Sequence, residues 1–173
     1  GPQGPQGLTG ASGLPGVNGS HGVDGRNGVD GFIPHFGSFY DTTTQTATVI
    51  NTATAITFNV TDLSNCVYIG SPTSRIVVDS EGIYNFDTSF QIDKTSGGTA
   101  VFDFWFRLNG VDVANSGSRI TIQGNNAEIF SSLNYFFDLK ANDYVELMFS
   151  VTDLGVEITA FAAAAPVPGI PSI

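Results

Sequence analysis

Tyr84-Asn85-Phe86-Asp87-Thr88-Ser89-Phe90-Gln91-Ile92 places Tyr84, Phe86, Phe90 and Ile92 at alternate positions, with Asn85, Asp87, Ser89 and Gln91 between them. In an extended chain successive side chains point to opposite faces, so this period of two predicts a half-buried β-strand. The pattern recurs on both sides of that stretch. Phe102, Phe104, Phe106 and Leu108 alternate with Asp103, Trp105, Arg107 and Asn109. Ile129, Leu133, Tyr135, Phe137 and Leu139 line a third face, Val145, Leu147, Phe149 and Val151 a fourth, and Val156, Ile158, Ala160 and Ala162 a fifth. Shorter strands are predicted over residues 36–40, 47–50, 55–60, 67–69 and 75–78. Turn residues separate them: Ser96-Gly97-Gly98, Asn109-Gly110, Gly124-Asn125-Asn126 and Ala141-Asn142-Asp143. No segment reads as a helix of three turns. About ten short strands at this spacing predict an all-β, antiparallel two-sheet jelly-roll sandwich.

Some of these strands carry bulk on both faces. Trp105 opposes Phe104 and Phe106, and Phe130 and Phe136 oppose Ile129, Tyr135 and Phe137. A sandwich buries one face of each sheet, so the surplus aromatics are expected at an interface between subunits. Trp105, Phe130, Phe136 and Phe161 are the candidates.

The chain ahead of these strands has a different composition. Residues 1–31 contain no aromatic residue, whereas the rest holds all fourteen Phe, all five Tyr and the single Trp. Glycine stands at every third position: Gly1, Gly4, Gly7, Gly10, Gly13, Gly16, Gly19, Gly22, Gly25, Gly28 and Gly31. An unbroken Gly-X-Y repeat predicts three chains wound as polyproline II-like helices, with glycine at an axis that admits no side chain. Ten triplets would form a rod of about 90 Å. Only Pro2, Pro5 and Pro15 restrict its backbone, and Asp24, Arg26 and Asp30 offer exposed interchain ion pairs that contribute about 0–1 kcal/mol each. Such a rod needs a trimeric clamp, and the aromatic-rich part is the evident one. Residues 1–31 are thus expected as a collagen-like stalk, 32–46 as a neck and first strand, 47–163 as the jelly-roll head, and 164–173 as an extended Pro-rich tail. The repeat opens in frame at Gly1 without an initiator Met, which suggests the end of a longer fibrous protein. The tail, with Pro166, Pro168 and Pro171, is expected to cross the surface toward a neighbouring subunit, or else to fray.

Charge narrows the partners. The net charge is −10, and the five cations of the head (Arg75, Lys94, Arg107, Arg119 and Lys140) are scattered, which argues against nucleic acid or an anionic membrane. No run approaches a membrane span. The lone Cys66, in Cys66-Val67-Tyr68-Ile69, rules out an intrachain disulfide framework; it reads as a small core residue, with an interchain disulfide or reactive thiol as alternatives. Catalysis has little support. His21 lies in the stalk and His35 in the neck, no Gly-x-Ser-x-Gly occurs, and a metal or catalytic cluster would need Cys66 beside His35. The fourteen acidic residues of the head read as a solvated surface rather than as glycosidase carboxylates. No enzyme activity and no cofactor is expected; Ca²⁺ on the acidic, loop-rich surface is the one metal considered, without a continuous Asp-x-Asp-x-Asp loop to hold it. Asn59-Val60-Thr61 matches a glycosylation acceptor by chance.

Three motifs carry a family resemblance. Gly82-Ile83-Tyr84-Asn85-Phe86, Arg107-Leu108-Asn109-Gly110-Val111 and Leu139-Lys140-Ala141-Asn142-Asp143-Tyr144-Val145-Glu146-Leu147 resemble, in order, a Gly-x-Tyr-x-Phe strand, a Leu-x-x-Asn-Gly hairpin and a Leu-x-x-Gly-Asp-x-Val-x-Leu strand. These belong to the complement globular-head/tumour-necrosis-factor-like jelly rolls that often follow collagen stalks. Asn142 replaces the family's glycine, a mild departure because Asn tolerates the left-handed conformation. Residues 56–65, 104–113 and Gly124-Asn125-Asn126-Ala127, with the closing tail from Pro166, are similar to virion structural proteins of tailed bacteriophages. Such proteins usually continue past a tail like Ile170-Pro171-Ser172 into a short apolar strand.

The resemblance implies a homotrimeric fibre on the surface of a virus particle, extracellular, in contact with other virion proteins and binding a host cell-surface glycan or protein through its tip. Exposed loops are the expected contact elements, over residues 71–74, 93–99 and 124–128, with Ser71, Thr73, Ser74, Lys94, Asn125 and Asn126 as candidates. The alternatives are a purely structural clamp or capsid decoration, and a bacterial surface or spore-coat adhesin of the same build.

Overall fold

In the computed structural model, residues 1–22 and 34–173 are described, and the chain divides into two units, Gly1–Phe32 and Ile33–Ile173. Gly25, Gly28, Gly31, Asp24, Arg26 and Asp30 lie outside the described residues. Residues 1–22 carry no strand or helix, and every one is exposed; Leu8, Leu14 and Val17 touch nothing. A Cβ placed on any glycine from Gly1 to Gly22 would meet nothing within 4 Å. As a single chain, this segment has no packing partner for its side chains.

The second unit is built from β1 (Phe36–Tyr40), β2 (Gln45–Thr46), β3 (Thr54–Ala55), β4 (Val60–Asn65), β5 (Val67–Ile69), β6 (Ile76–Val78), β7 (Gly82–Lys94), β8 (Thr99–Leu108), β9 (Val111–Asp112), β10 (Ser118–Gln123), β11 (Ala127–Leu139), β12 (Tyr144–Val151) and β13 (Val156–Ile158). All pairings are antiparallel. One sheet runs β10-β8-β12-β6-β5, with β3 on β12 and β9 on β8; a second runs β11-β7-β13-β2; β1 and β4 form a two-stranded third. The chain is all-β, compatible with a β-sandwich.

The alternation that predicts the strands is what closes the core. Phe90 and Ile92 of β7 and Phe137 and Leu139 of β11 point inward against Phe102, Phe104 and Phe106 of β8 and Leu147 and Phe149 of β12. Rings meet edge-on across the layers, Phe90 to Phe104 at 5.0 Å and Phe106 to Phe137 at 5.4 Å between centroids. Fully burying side chains of this kind stabilises by roughly 1.5–3 kcal/mol each. The long antiparallel pair β7–β11 keeps register over its whole length, from Ala127↔Lys94 to Leu139↔Gly82.

Several expected strands differ. Residues 47–50 form a turn rather than a strand, leaving Gln45–Thr46 to pair with β13. Residues 55–60 alternate as a strand would, with Ile56 and Phe58 buried, yet most of the segment has no ladder. Its backbone partners change from Leu147, which accepts from the Ile56 N–H, to Thr73, which accepts from the Phe58 N–H, as the chain passes between sheets. β4 and β10 lie largely outside the predicted strands, although Ile120 and Ile122 alternate within β10, whereas β9 completes the hairpin around Asn109-Gly110. Cys66 is not a core residue: it is half-buried, with φ 59° between β4 and β5. Asn109 and Gly110 turn β8 into β9 at φ 49° and 83°, and Asn142 adopts φ 70°, the left-handed geometry expected of it.

The tail neither frays nor runs extended over the surface. It doubles back, pairing Phe161 with Ile170 and Ala164 with Val167. It then buries Ser172 completely in its own subunit.

Candidate functional site

Two of the three candidate loops come together at one end of the unit. The Gly124 N–H donates to the Gly98 carbonyl at 3.0 Å and the Asn126 N–H to the Lys94 carbonyl at 2.7 Å, so residues 93–99 and 124–128 form one surface. Asn125 and Asn126 are exposed on it. Gly124 at φ 99° and Asn126 at φ 56° explain the Gly-Asn-Asn sequence, since these residue types tolerate positive φ. The Asp153–Gly155 turn joins the same end: Thr95 N–H donates to the Gly155 carbonyl, and Ser96 Oγ donates to Asp153 at 2.8 Å. The Gly155 N–H, and after it the Ser96 hydroxyl, hold the Asp153 carboxyl below the usual carboxylate range.

Lys94 is not a ligand residue. It is completely buried, and its Nζ donates to the Ser96 carbonyl, to Ser96 Oγ at 2.9 Å and to the Gly97 carbonyl at 2.7 Å, with Asp153 at 3.6 Å. At the end of β7 a lysine pointing inward must either bury its charge unpaired or fold back, and the β7–β8 loop wraps around it. Ser74 is likewise withdrawn from the surface. It is 3% exposed and donates to Glu146 at 2.6 Å, beside Arg75, whose guanidinium lies over the Tyr144 ring. Ser71 and Thr73 remain exposed, but no hydrogen bond among the described residues joins their loop to the other two.

The interface candidates separate into three places. Phe130 and Phe136 stand 63% and 64% exposed on the outer face of β11. Ile83, 70% exposed on β7, shares that face, because Ile83 pairs with Asp138, two residues from Phe136. Ile83 was not singled out from sequence, though the alternation around Tyr84 puts it on the polar side. Trp105 is half-buried on the outer face of β8. Its indole N–H donates to Asp112 at 2.8 Å, and Arg107 donates to the same oxygen at 2.9 Å. These two donors, the indole first, lower the Asp112 carboxyl. Trp105 is therefore partly engaged within its own subunit. Phe161 borders an open groove of about 720 Å³ with Tyr40, Thr42, Thr44 and Ile170.

The neck histidine is tied down. His35 Nδ1 lies 3.2 Å from the Tyr84 hydroxyl, which donates to the Ser80 carbonyl at 2.8 Å. Burial, and then the nearby Cys66 and Asp79, push the Tyr84 phenol up. Among the described residues no group of three His, Cys, Asp or Glu is arranged to hold a metal ion. Glu128, Asp93 and Glu157 stand opposite one another on β11, β7 and β13, a row of like charges rather than a cation cage.

No protein-family model matches the chain, and comparison with curated proteins finds no match.

Proposed function

We propose that the chain is a fibre component of a virus particle, a homotrimer whose Gly-X-Y segment is a collagen-like stalk and whose β unit is a jelly-roll head contacting the host surface. One observation carries the trimer and its stalk, eleven glycines at an unbroken spacing of three, and the virion part rests on the resemblance of residues 56–65 and 104–113. The exposed Ile83 and Phe136, neighbours on the outer face of β7 and β11, with Phe130 six residues along β11, support it. Three parallel chains meet in a cyclic interface, and apolar area of that kind is what such an interface covers.

The mechanism follows from symmetry. Three copies of the surface formed by residues 93–99 and 124–128 present weak contacts at fixed spacing, and simultaneous engagement multiplies them. Asn125 and Asn126 are exposed polar groups on it, beside Thr95, Thr99 and Glu128, suited to hydrogen-bonding a glycan or a protein loop.

Sedimentation of the whole chain tests the trimer: the reading requires three times 18.2 kDa, and a monomer sinks it. Residues 34–173 alone then show whether the head is the clamp. For attachment, Asn125→Ala with Asn126→Ala is expected to leave the trimer intact and abolish adsorption of particles to cells. Unchanged adsorption would favour a purely structural clamp or decoration.

A further inference from the structure

Asparagine stands directly before glycine at three places, Asn18-Gly19, Asn27-Gly28 and Asn109-Gly110. In the Gly-X-Y segment this follows from the repeat, since any Asn at the third position of a triplet precedes the next glycine. Such a pair carries a reaction of its own. The glycine nitrogen attacks the Asn side-chain carbonyl carbon, closing a five-membered imide and expelling ammonia. Water then opens the imide at either carbonyl and leaves aspartate or isoaspartate. Glycine favours the step because no Cβ shields its nitrogen.

Asn27-Gly28 lies outside the described residues. The other two pairs are both exposed, so exposure does not separate them. Their hydrogen bonds do. At the turn from β8 to β9 the Asn109 side-chain amide is held at both ends: Nδ2 donates to Asp143 Oδ1 at 2.8 Å, and Oδ1 accepts from the Tyr144 N–H at 3.0 Å. The Asn109 N–H also donates to the Tyr144 carbonyl at 3.0 Å, which fixes the backbone beneath. Turning Cγ toward the Gly110 nitrogen breaks both side-chain bonds. Asn18 has no such restraint. Residues 17–20 are exposed, no hydrogen bond among the described residues reaches Asn18 or Gly19, and a Cβ on Gly19 would meet nothing within 4 Å.

We propose that Asn18-Gly19 is a self-modifying site, which loses ammonia and takes up water to become aspartate or isoaspartate, whereas the same pair at Asn109-Gly110 is locked by the fold. Its position gives the product a consequence. Isoaspartate routes the backbone through its side-chain carbon and so adds one backbone atom between Gly16 and Gly19. A triple helix needs glycine at each axial position, so the altered link does not wind. That consequence rests on the triple helix proposed above. The same helix restrains the reaction. A polyproline II residue keeps ψ at about +145°, and closing the imide ring swings the glycine nitrogen out of that geometry. Unwound chains are therefore the ones that age, and ageing keeps them from winding again.

The test uses the whole chain at neutral pH, carrying Asn27→Gln so that the repeat holds a single Asn-Gly pair. Conversion at each site is followed by mass spectrometry of protease digests. At a temperature where circular dichroism shows the β unit folded and no triple helix, Asn18 is expected to convert at least ~tenfold faster than Asn109. In urea the two are expected to agree within about twofold. Equal rates in the folded protein overturn the proposal. So does an Asn109 that stays as slow in urea, because its protection then does not come from the fold. After ageing and cooling, the chain is expected to regain less triple-helix signal than a form that also carries Asn18→Gln; equal recovery overturns the consequence for winding. A chain with no triple-helix signal at any temperature refutes the stalk reading instead, while the contrast between Asn18 and Asn109 is still measured.

Discussion

Lys94→Met removes the buried ammonium while keeping an unbranched side chain of similar length. Lys94 Nζ makes three hydrogen bonds, to the carbonyls of Ser96 and Gly97 and to Ser96 Oγ. Bonds to a charged donor contribute about 1.5–3 kcal/mol each, so their sum sets an upper bound of about 9 kcal/mol. Two effects reduce it. Methionine escapes the dehydration of a buried ammonium, which costs several kcal/mol. Gly97 is exposed and Ser96 half-buried, so water reaches the freed carbonyls. The net expected loss is about 2 kcal/mol, or roughly 6 °C in Tm for a unit of this size. Urea unfolding followed by Trp105 fluorescence measures it, at one fixed protein concentration because assembly stabilises the folded state. Chemical acetylation of the native protein gives a second readout, in which exposed Lys140 reacts and Lys94 does not. A variant within about 0.5 kcal/mol of the parent, or acetylation of Lys94 as fast as of Lys140, refutes the stabilising role of the buried ammonium within the β7–β8 loop.

Phe136→Ser is expected to change the stability of the subunit by less than about 0.5 kcal/mol, since the ring is mostly exposed, yet to raise the dissociation constant of the proposed trimer by about tenfold or more on sedimentation equilibrium. If the proposed collagen-like trimer forms, Gly16→Ala is expected to lower the melting temperature of its triple helix by circular dichroism while the head stays trimeric; a head that dissociates would show that it is not the clamp. Cys66→Gly relieves a left-handed φ of 59° against the added freedom of glycine, for a net gain of about 0.5 kcal/mol in unfolding free energy, read from urea unfolding. The backbone N–H of Lys140, and then the Asn109 amide, hold the Asp143 carboxyl below its usual 3.8. The stabilisation this provides is present above that usual value and is lost as pH falls through it to the folded value, so Asp143→Ala should flatten the acid side of the stability profile. An unchanged slope of urea midpoint against pH would dismiss those two donors as its source.

Local signals were readable where a residue's environment depends on its neighbours in sequence. The period of two in Tyr84–Ile92 and Phe102–Leu108 reappears as β7 and β8, and the positive φ at Asn109, Gly110 and Asn142 follows from turn chemistry. Ile56 and Phe58 show where such reasoning stops. Their burial was legible, but whether the segment between them forms a ladder depends on Leu147 and Thr73, which are remote in sequence. Lys94 and Ser74 failed as surface candidates for the same reason. Their composition suits an exposed loop, and only the fold supplies the carbonyls around one and the Glu146 carboxylate beside the other.

By itself the sequence determined an all-β unit, its longest strands, its principal turns and the abrupt change of composition after residue 31. These rest on periodicity and backbone preference, which act within a few residues. Tertiary structure alone decided that residues 93–99 and 124–128 share one surface, that Ile83 neighbours Phe136 on an outer face, and that Ser172 is buried between Asp41 and Gln91. Each of these depends on which strands become neighbours, and that choice is made by burying the whole aromatic core at once rather than by any local stretch of chain.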